Sequence, residues 1–156
     1  MQEFLIHPEF TLTLIWKNNL IEKTLLQPAD SGTTSCMKTS PRPSRALGNL
    51  YRHYLNREPL HPEIPLAWKN MPPFRARVLR TLFWLVPWGR IMTYSGLAAM
   101  AGNPGAARAV GTAMACNPWP VIIPCHRVIR ADRGLGGFSC GTELKKKLLA
   151  LEDIIL

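Results

Sequence analysis

The stretch TYSGLAAMAGNPGAARAVGTAMACNP, residues 93–118, decides the fold class. Thr93 has a side chain that can cap a helix, which predicts a short helix over 94–100. Gly102-Asn103-Pro104 is turn chemistry, and Pro104 suits the first turn of a second helix over about 104–116. Asn117-Pro118 ends that helix, because the residue before a proline is pushed away from helical geometry. Two short helices joined by a tight glycine-containing turn have the layout of a helix-turn-helix. Gly105, Ala106, Ala107, Ala109, Gly111, Thr112 and Ala113 of the second helix are all small, with Arg108 among them. So bulk-free a face serves either close packing on another helix or close approach by a ligand such as a nucleic-acid groove. Composition leaves both open.

Next comes VIIPCHRVI, residues 121–129. A β-branched apolar run leads to a proline, a thiol, an imidazole and a guanidinium, and such a run buries the surroundings of Cys125. The thiolate is the nucleophilic form, and burial raises a thiol above its usual pKa of about 8.5. A buried nucleophile therefore needs its own proton acceptor. His126 is the nearest candidate, to be oriented by a carboxylate. The alternative is an inert buried cysteine beside a surface pair, His126 and Arg127. Residues 134–141, GLGGFSCG, form a flexible loop able to bring backbone N–H groups to a small ligand. A last helix over 144–152 points Leu148, Leu149 and Leu151 inward and leaves Lys145, Lys146 and Lys147 as a solvated face.

The first half is of another kind. Residues 11–17 alternate, with Leu12, Leu14 and Trp16 on one face; Asn18-Asn19 makes a turn and apolar residues return over 20–26, which predicts a β-hairpin. Residues 4–10 add a third strand, limited to an edge by Pro8. Residues 27–43 predict a mobile loop, with Cys36 an incidental exposed thiol. Ser44 caps a helix to about Arg57 with Leu47, Leu50, Tyr51, Tyr54 and Leu55 as its core stripe. Five prolines (59, 62, 65, 72 and 73) mark residues 58–73 as a linker. Beyond it a helix over 74–85 carries Phe74, Val78, Leu82 and Leu85 on one face. The expected fold is α+β: a small N-terminal α/β domain over 1–70, an antiparallel hairpin sheet plus helix, and a mostly helical domain over 71–156 with a helix-turn-helix.

The 156 residues are 47% hydrophobic and 19% charged, which favours a packed core over disorder. The net charge of +9 attracts phosphates, or belongs to a merely soluble basic protein. No apolar run approaches the roughly 18 residues of a membrane span. Residues 1–10 lack the basic-then-apolar order of a signal peptide, so an intracellular protein is expected. Cys36, Cys116, Cys125 and Cys140 contain no CxxC pair, and the histidines do not fall at zinc-site intervals, so neither a structural zinc nor a disulfide framework is expected.

With these motifs in order, the chain resembles the O6-alkylguanine-DNA alkyltransferases, also called methylated-DNA–protein-cysteine methyltransferases. The matching set is Thr93-Tyr94, Ala101 to Pro104, Ala107 to Gly111, Asn117-Pro118, Ile123 to Val128 and Leu149 to Glu152. It covers roughly residues 72–153; the first 70 match only in layout, where the family has a small, variable domain. The resemblance implies direct-reversal DNA repair: one irreversible transfer of an alkyl group from O6 of guanine, with O4 of thymine as a further substrate, to Cys125. It implies no metal and no cofactor. The partner is double-stranded DNA, bound without sequence preference by a monomer, in the cytoplasm of a prokaryote or the nucleus of a eukaryote.

By the same resemblance, His126 is the base, acting through an ordered water and oriented by Glu152, and Asn117 braces the turn that carries the cysteine. Tyr94 holds the guanine and protonates it as it leaves. The backbones of Val128 and Ser139 read the base edge. Arg108 replaces the extruded nucleotide in the stack, Asn103 and Ser95 lie near phosphates, and the helix bearing Ala107 and Gly111 sits in the minor groove. Phe138 and Cys140 depart from the residues common at their positions, tyrosine and glycine, and both bear on the size of alkyl group admitted. The zinc-binding residues of some members' first domain have no evident counterpart.

Two other functions compete with this one. A non-enzymatic DNA-binding module needs no thiol. An unrelated thiol hydrolase leaves the small-residue helix and the charge unexplained, and adjacent side chains such as those of Cys125 and His126 usually diverge.

Overall fold

Alternating polarity builds the first half of the protein. In the computed structural model, which describes residues 1–29, 38–39, 43–57, 60 and 63–156, strands β1 (Gln2–His7), β2 (Phe10–Lys17), β3 (Leu20–Pro28) and β4 (Lys38–Thr39) form an antiparallel sheet in the order β3-β2-β1-β4. Asn18 and Asn19 both take positive φ, 50° and 60°, as a two-residue hairpin turn requires. The inward face carries Leu5, Phe10, Leu12, Leu14 and Ile21. A bulge opposite Ile15 and Trp16 shifts the parity of β3, so its buried residues are Ile21, Thr24 and Leu26 and not a strict alternation.

Helix α1 (Arg45–Asn56) covers this sheet, with the Tyr54 ring edge-on to Phe10 at 5.1 Å. Ser44 caps it by accepting from Leu47 N at 3.2 Å. The buried carboxylate of Glu3 accepts from Trp16 Nε1 (2.8 Å), Ser44 N (2.6 Å) and Ser44 Oγ (2.7 Å), tying both strands to the cap.

Four expectations for this half need correction. Pro8 lies in the turn between β1 and β2 and not within a strand, so β1 is an interior strand paired on both sides. Gln27 and Pro28 extend β3, and Lys38-Thr39 is a strand, because each finds backbone partners in the sheet. On α1, Leu55 is exposed and Tyr51 half-buried, while Ala46 and His53 are buried. Within the proline-rich stretch, Leu66 bridges Ile21, with Ile21 N donating to Pro65 O and Ala67 N to Ile21 O. Cys36, most of the remaining loop, and residues 58–59 and 61–62 lie outside the described residues.

The chain divides into two units, Met1–Ala67 and Trp68–Leu156. In the second, α2 (Pro73–Leu85) begins on a proline at N1 and buries Ala76, Val78, Leu79 and Leu82; Phe74 is half-buried and Leu85 exposed. Strand β5 (Met92–Thr93) pairs in parallel with β6 (Val128–Ile129). Helix α3 (Tyr94–Met100) starts where Thr93 Oγ1 accepts from Gly96 N at 3.0 Å. Helix α4 is Ala107–Ala115, shorter than expected at its start. Residues 103–106 close a turn through Ala106 N to Asn103 O at 2.9 Å, so Pro104 and Gly105 serve their turn preference. Helix α5 is Thr142–Leu151, with Leu144, Leu148 and Leu149 buried and Leu151 half-buried. The whole is α+β, a hairpin sheet with one helix followed by a mostly helical unit.

Candidate active site

The cysteine is carried by a strained approach. Asn117-Pro118 stops α4, and the chain folds back through Ile123 N to Trp119 O at 2.8 Å. Val121 is held at φ 77°, a conformation that costs a β-branched residue of order 1–3 kcal/mol. The buried run Trp119 to Val128 holds it there. Pro124 then starts a single 3-10 turn, Cys125–Arg127, which feeds β6.

Asn117 is the brace of this turn. Its Nδ2 donates to Ile123 O at 2.9 Å and to Cys125 Sγ at 3.1 Å, and its Oδ1 accepts from Trp119 N at 3.0 Å. Cys125 is 3% exposed and lines a cavity of about 890 Å³. Burial pushes its thiol up to about 11, against the lowering effect of the Asn117 hydrogen bond. At rest it is therefore a thiol.

His126 and Arg127 are both buried, not a surface pair. His126 Nε2 lies 2.8 Å from Glu152 Oε1. Burial lowers the imidazole's pKa, outweighing the hydrogen bond to Glu152 that raises it. The ring is thus neutral near pH 7, and its buried Nδ1 has no hydrogen-bond partner among the described residues. Arg127 donates to Glu152 through Nε (2.8 Å) and Nη2 (2.9 Å) and to Val86 O through Nη1 (2.8 Å). Gly89 N adds a bond to Glu152 Oε2 at 3.2 Å. Burial alone would push the Glu152 carboxyl up, yet His126 and the permanent charge of Arg127 hold it down at about 2.

The cavity walls come from two segments. Ala107, Arg108, Gly111, Met114 and Ala115 of α4 line one part, and Gly136, Gly137, Phe138 and Ser139 another, with Tyr94 and Arg130 completing it. Val110, Ala113 and Met114 of α4 are packed, and its small residues Ala107, Gly111 and Ala115 border the cavity. The Tyr94 hydroxyl reaches Gly137 O at 3.5 Å, and burial, followed by the repulsion that an ionised Cys125 would exert on a phenolate, raises its pKa.

Three of the expected residues are not on the cavity lining. Val128 is buried outside the cavity lining, and its carbonyl accepts from Lys145 Nζ at 2.6 Å. Ser95 is exposed and 3.2 Å from Thr93 Oγ1. Asn103 is away from the cavity, its Oδ1 accepting from Arg77 Nη2 at 2.6 Å. Lys145 corrects the solvated-face expectation: it is wholly buried, its ammonium donating to the carbonyls of Val128 and Leu135, and burial lowers its pKa to about 8. Its place was legible, because Lys145 stands three and four positions before Leu148 and Leu149, on the buried stripe. Arg127 had no such signal; a guanidinium between two apolar runs reads equally well as exposed.

The second unit holds twelve Lys and Arg against four Asp and Glu, so +8 of the chain's +9 is there. Among the described residues no helix is long and apolar enough to cross a membrane, and no three His, Cys, Asp or Glu are placed to hold a metal.

Fold and site together define a class: an α+β protein in which a cavity beside the short helices α3 and α4 is lined by a buried thiol, and the imidazole next to it in sequence is paired with a carboxylate. Residues 73–154 match the family described as 6-O-methylguanine DNA methyltransferase, DNA binding domain, and the chain belongs to that family. It is 52% identical over 82 residues to the rat methylated-DNA–protein-cysteine methyltransferase, covering 52% of this chain and 39% of that one. To the protein of that name from Saccharolobus islandicus it is 43% identical over 101 residues, 65% and 64% of the two chains. The chain thus spans between about two fifths and two thirds of the length of these curated relatives. Among solved structures, Mycobacterium tuberculosis OGT in complex with DNA superposes with a TM-score of 0.76 at 30% identity, over 97% of this chain and 92% of that one. The O6-methylguanine-DNA methyltransferase of Pyrococcus kodakaraensis has the same fold, with a TM-score of 0.76 at 24% identity over 99% and 100% of the chains.

Proposed function

We propose that the protein repairs alkylated DNA by direct reversal, moving the alkyl group from O6 of guanine, and from O4 of thymine, to Cys125, once per molecule. The observation that carries this reading is the Cys125 thiol on the cavity lining, held by Asn117 and backed by the His126–Glu152 pair. A base stacked in a duplex is out of reach, so the nucleotide is flipped. Helix α4, with Ala107 and Gly111, enters the minor groove, where readout of base identity is weakest, which suits a lesion found in any sequence. Arg108 fills the gap in the stack, and Asn103 and Ser95 approach phosphates. The Ser139 backbone holds the base edge.

In the chemical step the thiol proton passes to His126 Nδ1 through a water, while Glu152 stabilises the imidazolium. Sulfur attacks the alkyl carbon, the S–C bond forms and the C–O6 bond breaks. The guanine leaves with its electron pair and takes a proton from Tyr94, which the His126 proton replaces. The thiol proton thus ends on the repaired base. A thioether does not hydrolyse readily, so the protein acts stoichiometrically. It works as a monomer on double-stranded DNA, inside the cell.

The test is limiting protein with excess O6-methylguanine duplex, followed by intact mass and peptide mapping. One methyl per active molecule, on the Cys125 peptide, is expected; Cys125→Ser should bind duplex and take up none. Sustained turnover, or uptake by Cys140 instead, would refute the assignment.

A further inference from the structure

The charges around the cavity are one-sided. Among the described residues that line it, Arg108 and Arg130 are cationic and none is anionic. An O6-alkylguanine base is neutral, so neither guanidinium finds a counter-charge on it. Arg108 belongs to α4 and is absorbed by the plug role. Arg130 is not: it stands just past β6, five residues beyond Cys125, on the segment that leaves the acceptor.

Its position is built. Arg130 N donates to Gly134 O at 2.8 Å and Arg133 N to Arg130 O at 3.1 Å, which closes a tight turn over 130–134. Gly134 N donates to Asp132 Oδ1 at 2.9 Å, and Asp132 Oδ2 pairs with Arg130 Nη2 at 2.8 Å. A Cβ at Gly134 would stand 2.9 Å from Asp132 Oδ1 and 3.4 Å from Arg130 Cδ, so glycine is what lets both side chains lie across the turn. The Arg130 side chain is 63% exposed. Asp132 occupies one of its five donors and leaves the rest for a ligand. An exposed pair of this kind is weak, so Asp132 aims the guanidinium without holding it against a competing anion.

We propose that Arg130 grips a phosphate oxygen adjoining the nucleotide whose base enters the cavity, a phosphate site distinct from the plug at Arg108. A planar guanidinium matches the two oxygens of a phosphate. The site anchors the extruded nucleotide by its backbone while the neutral base is held by the pocket. This rests on reading the cavity as one that takes in a nucleotide.

The test uses the full chain and three small substrates, O6-benzyl-2′-deoxyguanosine and its 5′- and 3′-monophosphates, following thioether formation at Cys125. One monophosphate should react about tenfold or more faster than the nucleoside, the gain of one charge-assisted hydrogen bond. Arg130→Ala should bring that monophosphate down to the rate of the nucleoside measured in the same variant, and a melting curve like that of the unaltered protein shows that the variant is folded. Arg133→Asn removes the same charge nearby, at a left-handed position that asparagine tolerates, and should keep the preference. Equal rates on all three substrates in the unaltered protein, equal losses in the two variants, or a uniform slowing by Arg130→Ala would overturn the proposal. No thioether from any substrate on the unaltered protein would instead fell the acceptor reading, and this site with it.

Discussion

Replacing Gly136 by alanine adds one methyl group, and the structure says where its cost goes. A Cβ there would lie 2.8 Å from Tyr94 Oη, 2.9 Å from Cε2 and 3.3 Å from Cζ, at a backbone φ of +67°. The left-handed conformation costs an L-residue about 1–2 kcal/mol. For a domain of this size that lowers the melting temperature by roughly 2–8 °C. The contact with Tyr94 need not add much, because the far end of a half-buried side chain can swing aside and its 3.5 Å contact to Gly137 O is too long to resist. The displaced ring is then the main consequence, and it is paid in function. Losing the hydroxyl's bond to the leaving base, together with a methyl intruding on the cavity, should slow alkyl transfer by roughly ten- to a hundredfold.

A free O6-benzylguanine base is held by the cavity alone, so it should lose more than a duplex that keeps its contacts along α4. The decisive assay is a double-mutant cycle on single-turnover transfer rates. In a Tyr94→Ala background the clash is gone, so Gly136→Ala should slow transfer by less than about threefold while still lowering the melting temperature. A full, additive loss of transfer in that background would refute the displacement of Tyr94 as the cause.

Arg108→Ala should slow repair of duplex by roughly ten- to several-hundredfold, since unstacking a nucleotide costs a few kcal/mol, while reaction with free O6-benzylguanine stays unchanged; Arg108→Lys separates the flat plug from mere charge, and full activity in it would sink the plug. Glu152 has its folded-state pKa depressed from 4.5 to about 2, so its contribution is fully present above pH 4.5 and lost as pH falls toward 2, by about 3 kcal/mol. Urea unfolding from pH 7 to pH 3 should therefore show the stability gap between the unaltered protein and Glu152→Gln closing, and parallel curves would count against it. Lys145→Met keeps the volume but strips the donor from the Val128 and Leu135 carbonyls; thermal melts should show a loss of about 1–3 kcal/mol per orphaned carbonyl, and an unchanged melt would mean that water takes the ammonium's place.

What the sequence discloses of all this depends on how local the physics is. The hairpin over β2 and β3 was legible because Asn18-Asn19 and the alternation around it are local signals. The bounds of α1 were legible because Ser44 carries its own cap. The start of α4 was not, since a proline fits a helix's first turn and a β-turn equally well. Strand β4 and the bridge at Leu66 escaped because their partners, Leu5 and Ile21, are distant in sequence. At the site, Asn117 bonds Cys125 and His126 pairs with Glu152, in the second case a contact between residues far apart in sequence. Arg127 and the Arg130 turn are visible only once α5 and β6 are placed.

On the proposed mechanism, the titratable groups around Cys125 are pushed in directions that suit a nucleophile used once. A thiol raised to about 11 is ionised in only about one molecule in ten thousand at pH 7, so stray alkylating agents and oxidants meet an inert group. That protection matters when no second turnover can recover a wasted molecule. It must then be lifted by the substrate, and the parts for doing so are already in place. Burial keeps His126 neutral, with Nδ1 free to accept, so the base is available at the pH where the thiol is not ionised. Arg127 keeps Glu152 ionised, so the imidazolium that forms meets a charge already fixed 2.8 Å away, with no reorganisation left to pay for. A more acidic thiol would react faster with everything. Pairing a reluctant thiol with a prepared base confines reaction to an alkyl group that is held at the sulfur long enough for the proton to move.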